Sequence, residues 1–85
     1  MPKITSTDIP TVPAEVLALK RLVDRFAVAM KAKLLEKYYE GRRGWDKPEL
    51  RDSIREALVE QTRKNPIDPV DVANLAAFLW NLEEE

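Results

Sequence analysis

Apolar side chains recur every three or four residues through the first half of the chain, which is the spacing of one face of an α-helix. The stripe consists of Val16, Leu19, Leu22, Val23, Phe26, Met30, Leu34 and Tyr38. Thr11 can cap its start with Pro13 in the first turn, and Gly41 is typical of the residue that follows a helix. The pattern predicts a first helix over about residues 13–40, about 40 Å long, whose ends could overhang a small domain.

A second helix is predicted over about residues 47–64. Asp46 is placed to cap it, Pro48 falls in its first turn, and Glu49 would complete a capping box. Leu50, Ile54, Ala57, Leu58 and Gln61 form the stripe expected to face the core. The side expected to face water carries Arg51, Asp52, Arg55, Glu56 and Glu60. The pair Asn65-Pro66 then stops the helix, because the residue before a proline avoids the helical conformation.

A third helix is predicted over about residues 69–83, with Asp68 as its N-cap and Asp71 near its positive end. Over residues 72–80 every side chain except Asn74 is apolar, and a helix that is apolar on all sides is buried on all sides. Two neighbouring helices cannot cover it fully, so we expect a homo-oligomer, in the simplest case a dimer that closes a four-helix or larger bundle. The alternative is a harmless exposed stripe of the short side chains Ala73, Ala76 and Ala77.

Composition supports one all-α domain: one long helix plus a helical hairpin. Two glycines in 85 residues are too few for the turns of a hairpin-rich sheet. Three prolines within residues 1–13 predict an extended arm over residues 1–12 ahead of a helical domain over 13–85. The absence of cysteine and histidine excludes disulfides, thiolate metal sites and histidine acid–base chemistry. The sequence has neither a membrane-length apolar run nor a signal peptide, so we expect a cytoplasmic protein.

Charge is divided unevenly along the chain. Residues 1–44 carry nine Lys/Arg against five Asp/Glu, whereas residues 45–85 carry five against ten. This division favours a basic patch for an anionic ligand or head-to-tail pairing of copies. The alternative is that solvated charges, including the terminal run of three glutamates, produce it by chance. No helix carries a dense Lys/Arg face, so nucleic acid is not an expected partner.

The segment Gly41-Arg42-Arg43-Gly44-Trp45 between the first two helices is the first candidate for chemistry. Arginine forks bind phosphate, glycines let a ligand approach the backbone, and a tryptophan ring offers a face for a base. Lys31, Lys33 and Lys37 on the preceding helix could add positive electrostatic potential near this loop. The alternative is an ordinary connecting loop, in which Trp45 packs on the second helix and the arginines stay in solvent.

Two polar residues of the third helix are further candidates. Asn74 must be hydrogen-bonded if it is buried, and it could either contact a ligand or fix the register of the helix. Asp71 could position a ligand, or it could form a salt bridge with an arginine of the loop. The carboxylates of the second and third helices could in principle hold Mg²⁺, but several already serve as caps and Arg51 and Arg55 interrupt the acidic side. We therefore expect no catalytic residue, no metal and no cofactor.

The segments over residues 41–46 and 68–80 resemble a small phage-encoded helical module found beside the all-α, MazG-like NTP pyrophosphatases. The resemblance covers roughly residues 26–82. It implies a phage or prophage origin, an all-α bundle, oligomerisation and a nucleotide ligand. The enzymes of that group hold magnesium with an E-E-x-x-E motif that this chain lacks, and Glu49-x-x-Asp52 matches only their second motif in form. Catalysis is therefore not carried over.

The leading hypothesis is a non-enzymatic phage accessory protein in the cytoplasm of its bacterial host. It would be a helical homo-oligomer that binds a small phosphorylated ligand or a host protein, with Arg42, Arg43, Trp45, Asp71 and Asn74 at the ligand. One alternative is a minimal Mg²⁺-dependent nucleotide pyrophosphohydrolase with a site shared between subunits. Another is an adaptor or inhibitor that acts only through a protein-binding surface.

Overall fold

The computed structural model describes residues 12–83, which form three α-helices and no strand. α1 runs over Ala14–Tyr39, α2 over Arg51–Thr62 and α3 over Pro69–Glu83, and a single 3-10 turn, Pro48–Leu50, leads into α2. The predicted all-α three-helix class is confirmed. The predicted arm, apart from Val12, lies outside the described residues. The prediction that Thr11 caps α1 is wrong, because Pro13 itself takes the N-cap position and the helix starts at Ala14.

The C-terminal end of α1 is closed by Gly41, as the sequence predicts. Gly41 has a φ of 93°, its N–H donates to the Tyr38 carbonyl at 2.9 Å, and the Arg42 N–H donates to the Lys37 carbonyl at 3.1 Å. These two bonds are the Schellman pair, which satisfies carbonyls that the last helical turn leaves without partners. A glycine is favoured there because other residues pay a steric penalty at positive φ.

The predicted capping box at the start of the second helix is wrong. The residue before the 3-10 turn is Lys47 rather than Asp46, and no side chain caps that turn or α2. Backbone groups satisfy the donors instead: the Lys47 N–H donates to the Gly44 carbonyl at 3.2 Å and the Leu50 N–H to the Lys47 carbonyl at 2.9 Å. The Asp46 and Glu49 carboxylates therefore take no part in capping the start of this helix.

The start of α3 agrees with the prediction. One Asp68 carboxylate oxygen accepts from the Val70 N–H at 3.0 Å and from the Asp71 N–H at 3.3 Å, and Pro69 occupies the first helical position. The bond from the Asp71 N–H is the largest cause of the lowered pKa of Asp68, and the positive charge of Lys33 adds to it. The aspartate is thus held ionised at the positive end of the helix.

α3 is the central element of the fold. It packs against both α1 and α2, whereas those two helices, described over their whole lengths, make almost no contact with each other. Among residues 12–83 only Ile54, Asn74 and Leu82 are buried, so the core lies where α3 meets its neighbours. α1 extends well beyond α3, which makes the described part of the chain 60 Å long and 32 Å by 25 Å across.

Arg51 joins the two helices of the hairpin, although the pattern predicted that it faces water. Its side chain is half-buried, and one guanidinium nitrogen donates to the Leu82 carbonyl at 3.0 Å, in the last turn of α3. Arg51 departs from the pattern because the start of α2 lies beside the last turn of α3. A long side chain there can bury its stem while its head finds a polar partner.

The sides of α3 are not equivalent in this chain. Leu82 is fully buried and most other positions are half-buried, but Ala76 and Trp80 are exposed. Of the three alanines considered as an exposed stripe, only Ala76 is exposed, while Ala73 and Ala77 are half-buried. Completion of the bundle by a second copy stays a prediction.

Candidate functional site

A long apolar groove of about 900 Å³ lies where α1 and α2 fail to meet. α3 forms its floor, with Leu75 and Phe78 among the lining residues. The C-terminal half of α1 supplies one wall, which includes Leu34, and α2 supplies the other, which includes Ile54 and Ala57. The groove exists because both outer helices use their apolar sides against α3, so that the space between them is left unfilled.

All five residues predicted to contact a ligand line this groove. The loop brings Arg42, Arg43 and Trp45 to it, and the floor helix brings Asp71 and Asn74. Two segments separated by more than twenty residues in sequence therefore meet at one surface. The contacts of each side chain show whether it holds the fold together or is available to a ligand.

Trp45 packs onto the floor helix. Its ring lies 5.7 Å from the ring of Phe78, centroid to centroid, with the two planes inclined by 37°. The aromatic pair attaches the loop to α3, whereas the structural alternative considered from the sequence placed Trp45 on α2. The side chain stays 49 % exposed, so part of the indole surface remains open to a ligand.

Gly44 sets the path of the loop. It has a φ of 96°, and a Cβ atom built on it would lie 2.6 Å from Cδ1 of Leu50. Glycine is therefore favoured by backbone conformation and by lack of space at the same position. The close approach of Leu50 lets the loop turn sharply into the 3-10 turn.

The two arginines of the loop differ in what they contact. The Arg43 guanidinium donates to the carbonyls of Tyr38 and Arg42, at 2.9 and 2.8 Å, and lies 3.8 Å from the centre of the Tyr38 ring. Arg42 makes no side-chain hydrogen bond or ion pair with any residue between 12 and 83, and it is exposed. Arg43 thus braces the end of α1, and Arg42 is the loop cation available to an anion.

Asp71 pairs with a lysine, so the predicted salt bridge to a loop arginine is wrong. The Lys33 ammonium lies 3.8 Å from an oxygen of Asp71 and 3.7 Å from an oxygen of Asp68. The start of α3 faces the middle of α1, where Lys33 stands, whereas Arg43 is held over Tyr38 at the end of that helix. The carboxylate of Asp71 therefore joins α1 to α3. Its pairing with Lys33 limits the hydrogen bonds that it can accept from a ligand.

Asn74 is 5 % exposed, and its amide nitrogen donates to the Met30 carbonyl of α1 at 3.3 Å. This bond supports the predicted role in fixing helix register. Its amide oxygen has no hydrogen-bond partner among residues 12–83, and neither has the side-chain oxygen of Gln61. Both residues line the groove, and a buried acceptor without a partner costs about 1–3 kcal/mol. An N–H donor on an occupant of the groove would relieve that cost.

Sequence reasoning missed two members of this site. The sequence pattern places Gln61 only in the core-facing stripe of α2. A polar residue within a core-facing stripe indicates a buried hydrogen-bonding group. Lys33 was counted only as a source of positive field, because its partners on α3 are more than thirty residues away in sequence.

Within residues 12–83 no three His, Cys, Asp or Glu side chains come close enough together to hold a metal ion. In the same part of the chain, no helix combines the length and apolarity needed to cross a membrane. No family model matches this sequence, and neither the curated proteins nor the solved structures show significant similarity to it. The function of the groove therefore has to be inferred from its own geometry and chemistry.

Proposed function

We propose that this protein is a non-enzymatic binding module whose groove accepts an amphipathic helix of another protein, with acidic residues beside its apolar face. The observation that carries the proposal is that α1 and α2 both pack on α3 but not on each other. Three helices arranged in this way leave room for a fourth, and an amphipathic helix in an apolar groove is a recurring mode of protein recognition.

The charge at the edge of the groove indicates which helix would fit. Lys31, Lys37 and Arg42 stand on its α1 and loop side. Lys37 has an exposed pairing with Glu40 at 3.8 Å, which contributes little, and Arg42 has no partner among residues 12–83. Acidic side chains flanking the apolar face of the partner would meet these cations and steer its approach.

The polar groups inside the groove favour a partner that brings donors as well as apolar side chains. The free amide oxygens of Asn74 and Gln61 stand among apolar neighbours, where a hydrogen bond is stronger than in water. A tryptophan N–H or an amide N–H on the partner helix would satisfy one of them and fix the register of binding.

Two model peptides of equal helicity test the proposal, one with acidic and one with basic residues beside the same apolar face. The intrinsic fluorescence of Trp45 and Trp80, both at the groove, reports binding. We expect the acidic peptide to bind at least tenfold more tightly, with an affinity that falls as salt is added. Equal affinity of the two peptides, or binding of neither, would contradict the proposal.

A matched pair of variants locates the binding surface. Ala57→Leu adds a larger side chain to the α2 wall, whereas Ala76→Leu adds the same side chain at an exposed position of α3 that does not line the groove. Affinity for the acidic peptide should fall about tenfold in the first variant and stay unchanged in the second. The same loss in both would show that the peptide does not use the groove.

A small phosphorylated ligand at the loop end is the second candidate function. It is favoured by one observation: Arg42, which has no partner among residues 12–83, lines the groove together with the half-exposed Trp45. A nucleotide that binds there should raise the melting temperature through linkage, and Arg42→Ala should abolish the shift. If no nucleotide shifts the melting temperature of the unaltered protein, this candidate is rejected.

The biological setting suggested by the sequence stays a prediction. The resemblance to phage modules supports a role as a phage accessory protein in a bacterial host, with a host protein as the source of the partner helix. The Mg²⁺-dependent pyrophosphohydrolase would need an acidic cluster that residues 12–83 of one chain do not form, so it would require carboxylates from a second subunit.

A further inference from the structure

Among residues 12–83, the N-terminal half of α1, residues 14–25, is a helix without packed neighbours. We refer to it as the α1 overhang. Each of its residues is exposed, and its apolar stripe includes Val16, Leu19 and Val23. An isolated helix of this length is only marginally stable in water, and exposed apolar stripes of this kind mark interaction surfaces.

The bare stripe of the overhang continues a face that is already used for packing. Val16, Leu19 and Val23 are followed at the same alternating spacing of three and four by Phe26 and Met30, which are half-buried. The Met30 carbonyl accepts the hydrogen bond of Asn74 from α3. At about 100° per residue, the arginines of the overhang project from the opposite side of the helix. The overhang therefore has the pattern of a packed helix, although no other part of residues 12–83 packs on it.

We propose that the α1 overhang pairs with the α1 overhang of a second copy of this chain. The overhang carries three Lys/Arg against two Asp/Glu. It therefore lacks the excess of negative charge that would complement the cations at the edge of the groove in another copy. Against a second overhang the two apolar stripes face each other, and most of the charges stay in water. This pairing is independent of the groove and leaves the groove open to its own partner.

The two overhangs run antiparallel in this arrangement. α3 already covers the shared face from Phe26 onward, so a parallel second helix would meet α3 at that height. The α1 helix of an antiparallel copy begins before the height of α3 and then runs past Ala14 in the direction away from α3. The side chains then form layers in which Val16 of one copy packs against Leu19 of the other.

The size of the surface sets the strength of the pairing. Stable interfaces bury about 1,200–2,000 Å² in total, which is more than two short stripes of this kind supply. The pairing is therefore a reversible equilibrium whose dimer fraction rises with concentration. The mass measured by light scattering should rise from the 9.8 kDa of one chain toward twice that value, and helix content should rise with it.

Two charge substitutions within the overhang test the surface. Leu19→Asp places a carboxylate in the stripe, and Leu17→Asp places one on the opposite side of the same segment, where Leu17 is 41 % exposed against 52 % for Leu19. We expect Leu19→Asp to stay monomeric at concentrations where the unaltered protein and Leu17→Asp dimerise. A chain that is monomeric at every concentration, or two variants that behave alike, would overturn the proposal.

The absence of cysteine makes the orientation measurable. A mixture of Val16→Cys and Leu19→Cys chains should oxidise mainly to the mixed disulfide, because the antiparallel layers bring those two positions together. Oxidation of Val16→Cys mainly with itself would show a parallel pair and overturn the arrangement. Tryptophan fluorescence checks that the groove is intact in every variant, since both tryptophans lie outside the overhang.

Discussion

At the scale of single residues, the molecule uses its few special positions for backbone geometry and for joining helices. Gly41 and Gly44 take positive φ angles at the two ends of the loop, Asp68 caps α3, and Asn74 bonds across to α1. The sequence predicts Gly41 and Asp68 in these roles because each depends only on neighbours within four residues. The partner of Asn74 could not be predicted, because 44 residues separate it from Met30.

The two glycines should respond differently to substitution by alanine. Gly41→Ala meets no atom within 4 Å and should cost only the penalty of positive φ, about 1–2 kcal/mol. Gly44→Ala adds a contact with Cδ1 of Leu50 to the same penalty, so its free energy of unfolding should fall further, by about 1–3 kcal/mol more. Urea denaturation measures both. An equal loss in the two variants would show that Leu50 moves aside freely.

Asp68 gives the fold a dependence on acid pH. Because its pKa is lowered in the folded chain, its stabilising contribution is complete above the unfolded pKa and is lost as pH falls through the folded one. Stability of the unaltered protein should therefore decline below about pH 4, and Asp68→Asn, which keeps a capping side chain, should reduce that decline. Melting curves from pH 7 to pH 2 test this. An unchanged pH profile in the variant would mean that other carboxylates cause the decline.

At the scale of the elements, the end of α1 and the start of α3 agree with prediction, and the start of α2 does not. The end of α1 and the start of α3 were predictable from a glycine and an aspartate. The start of α2 was not, because backbone turns replace the side-chain cap that Asp46 suggested. The groove itself was not predictable, because helix periodicity does not reveal which two of three helices fail to touch.

The bond from Arg51 to the last turn of α3 should stabilise the helical hairpin. Its guanidinium meets a carbonyl at the negative end of α3, where a cation is favoured. Arg51→Met should lower the free energy of unfolding by about 1–2 kcal/mol. The control is Arg55→Met on the same helix, whose pairing with Asp52 is exposed and should contribute about 0.5 kcal/mol or less. If the two variants are equally stable, the Arg51 bond is not a structural link.

At the scale of the whole molecule, the fold consists of a hairpin with a groove and a helix that extends well beyond it. The apolar character of α3 predicts that a second copy is needed to complete the fold. In the structure, however, α1 exposes more large apolar side chains than α3 does. The sequence pattern contains that stripe without showing that half of it has no partner among residues 12–83. This difference arises because α3 contacts α1 at Met30 and does not reach the first turns of α1.

Limited proteolysis should report the different stabilities of these two parts. Trypsin should cut first at Lys20, Arg21 and Arg25 of the overhang, because a helix without packing opens locally at low free energy. Cutting at Arg51 should be slower, because that side chain is half-buried and bonded to α3. Mass spectrometry of early digests gives the order. First cleavage within α2 would contradict this division of the molecule.

The small number of buried residues has a thermodynamic consequence. With only Ile54, Asn74 and Leu82 buried among residues 12–83, unfolding exposes little new apolar surface, so its heat-capacity change per residue should fall below the usual 12–15 cal/mol/K, a typical value for domains. An occupant of the groove buries surface that folding alone leaves in water. The heat-capacity change that an ordinary domain shows on folding is then divided between the folding of this chain and the binding of its partner. The unfolding endotherm of the complex therefore becomes sharper than that of the free chain.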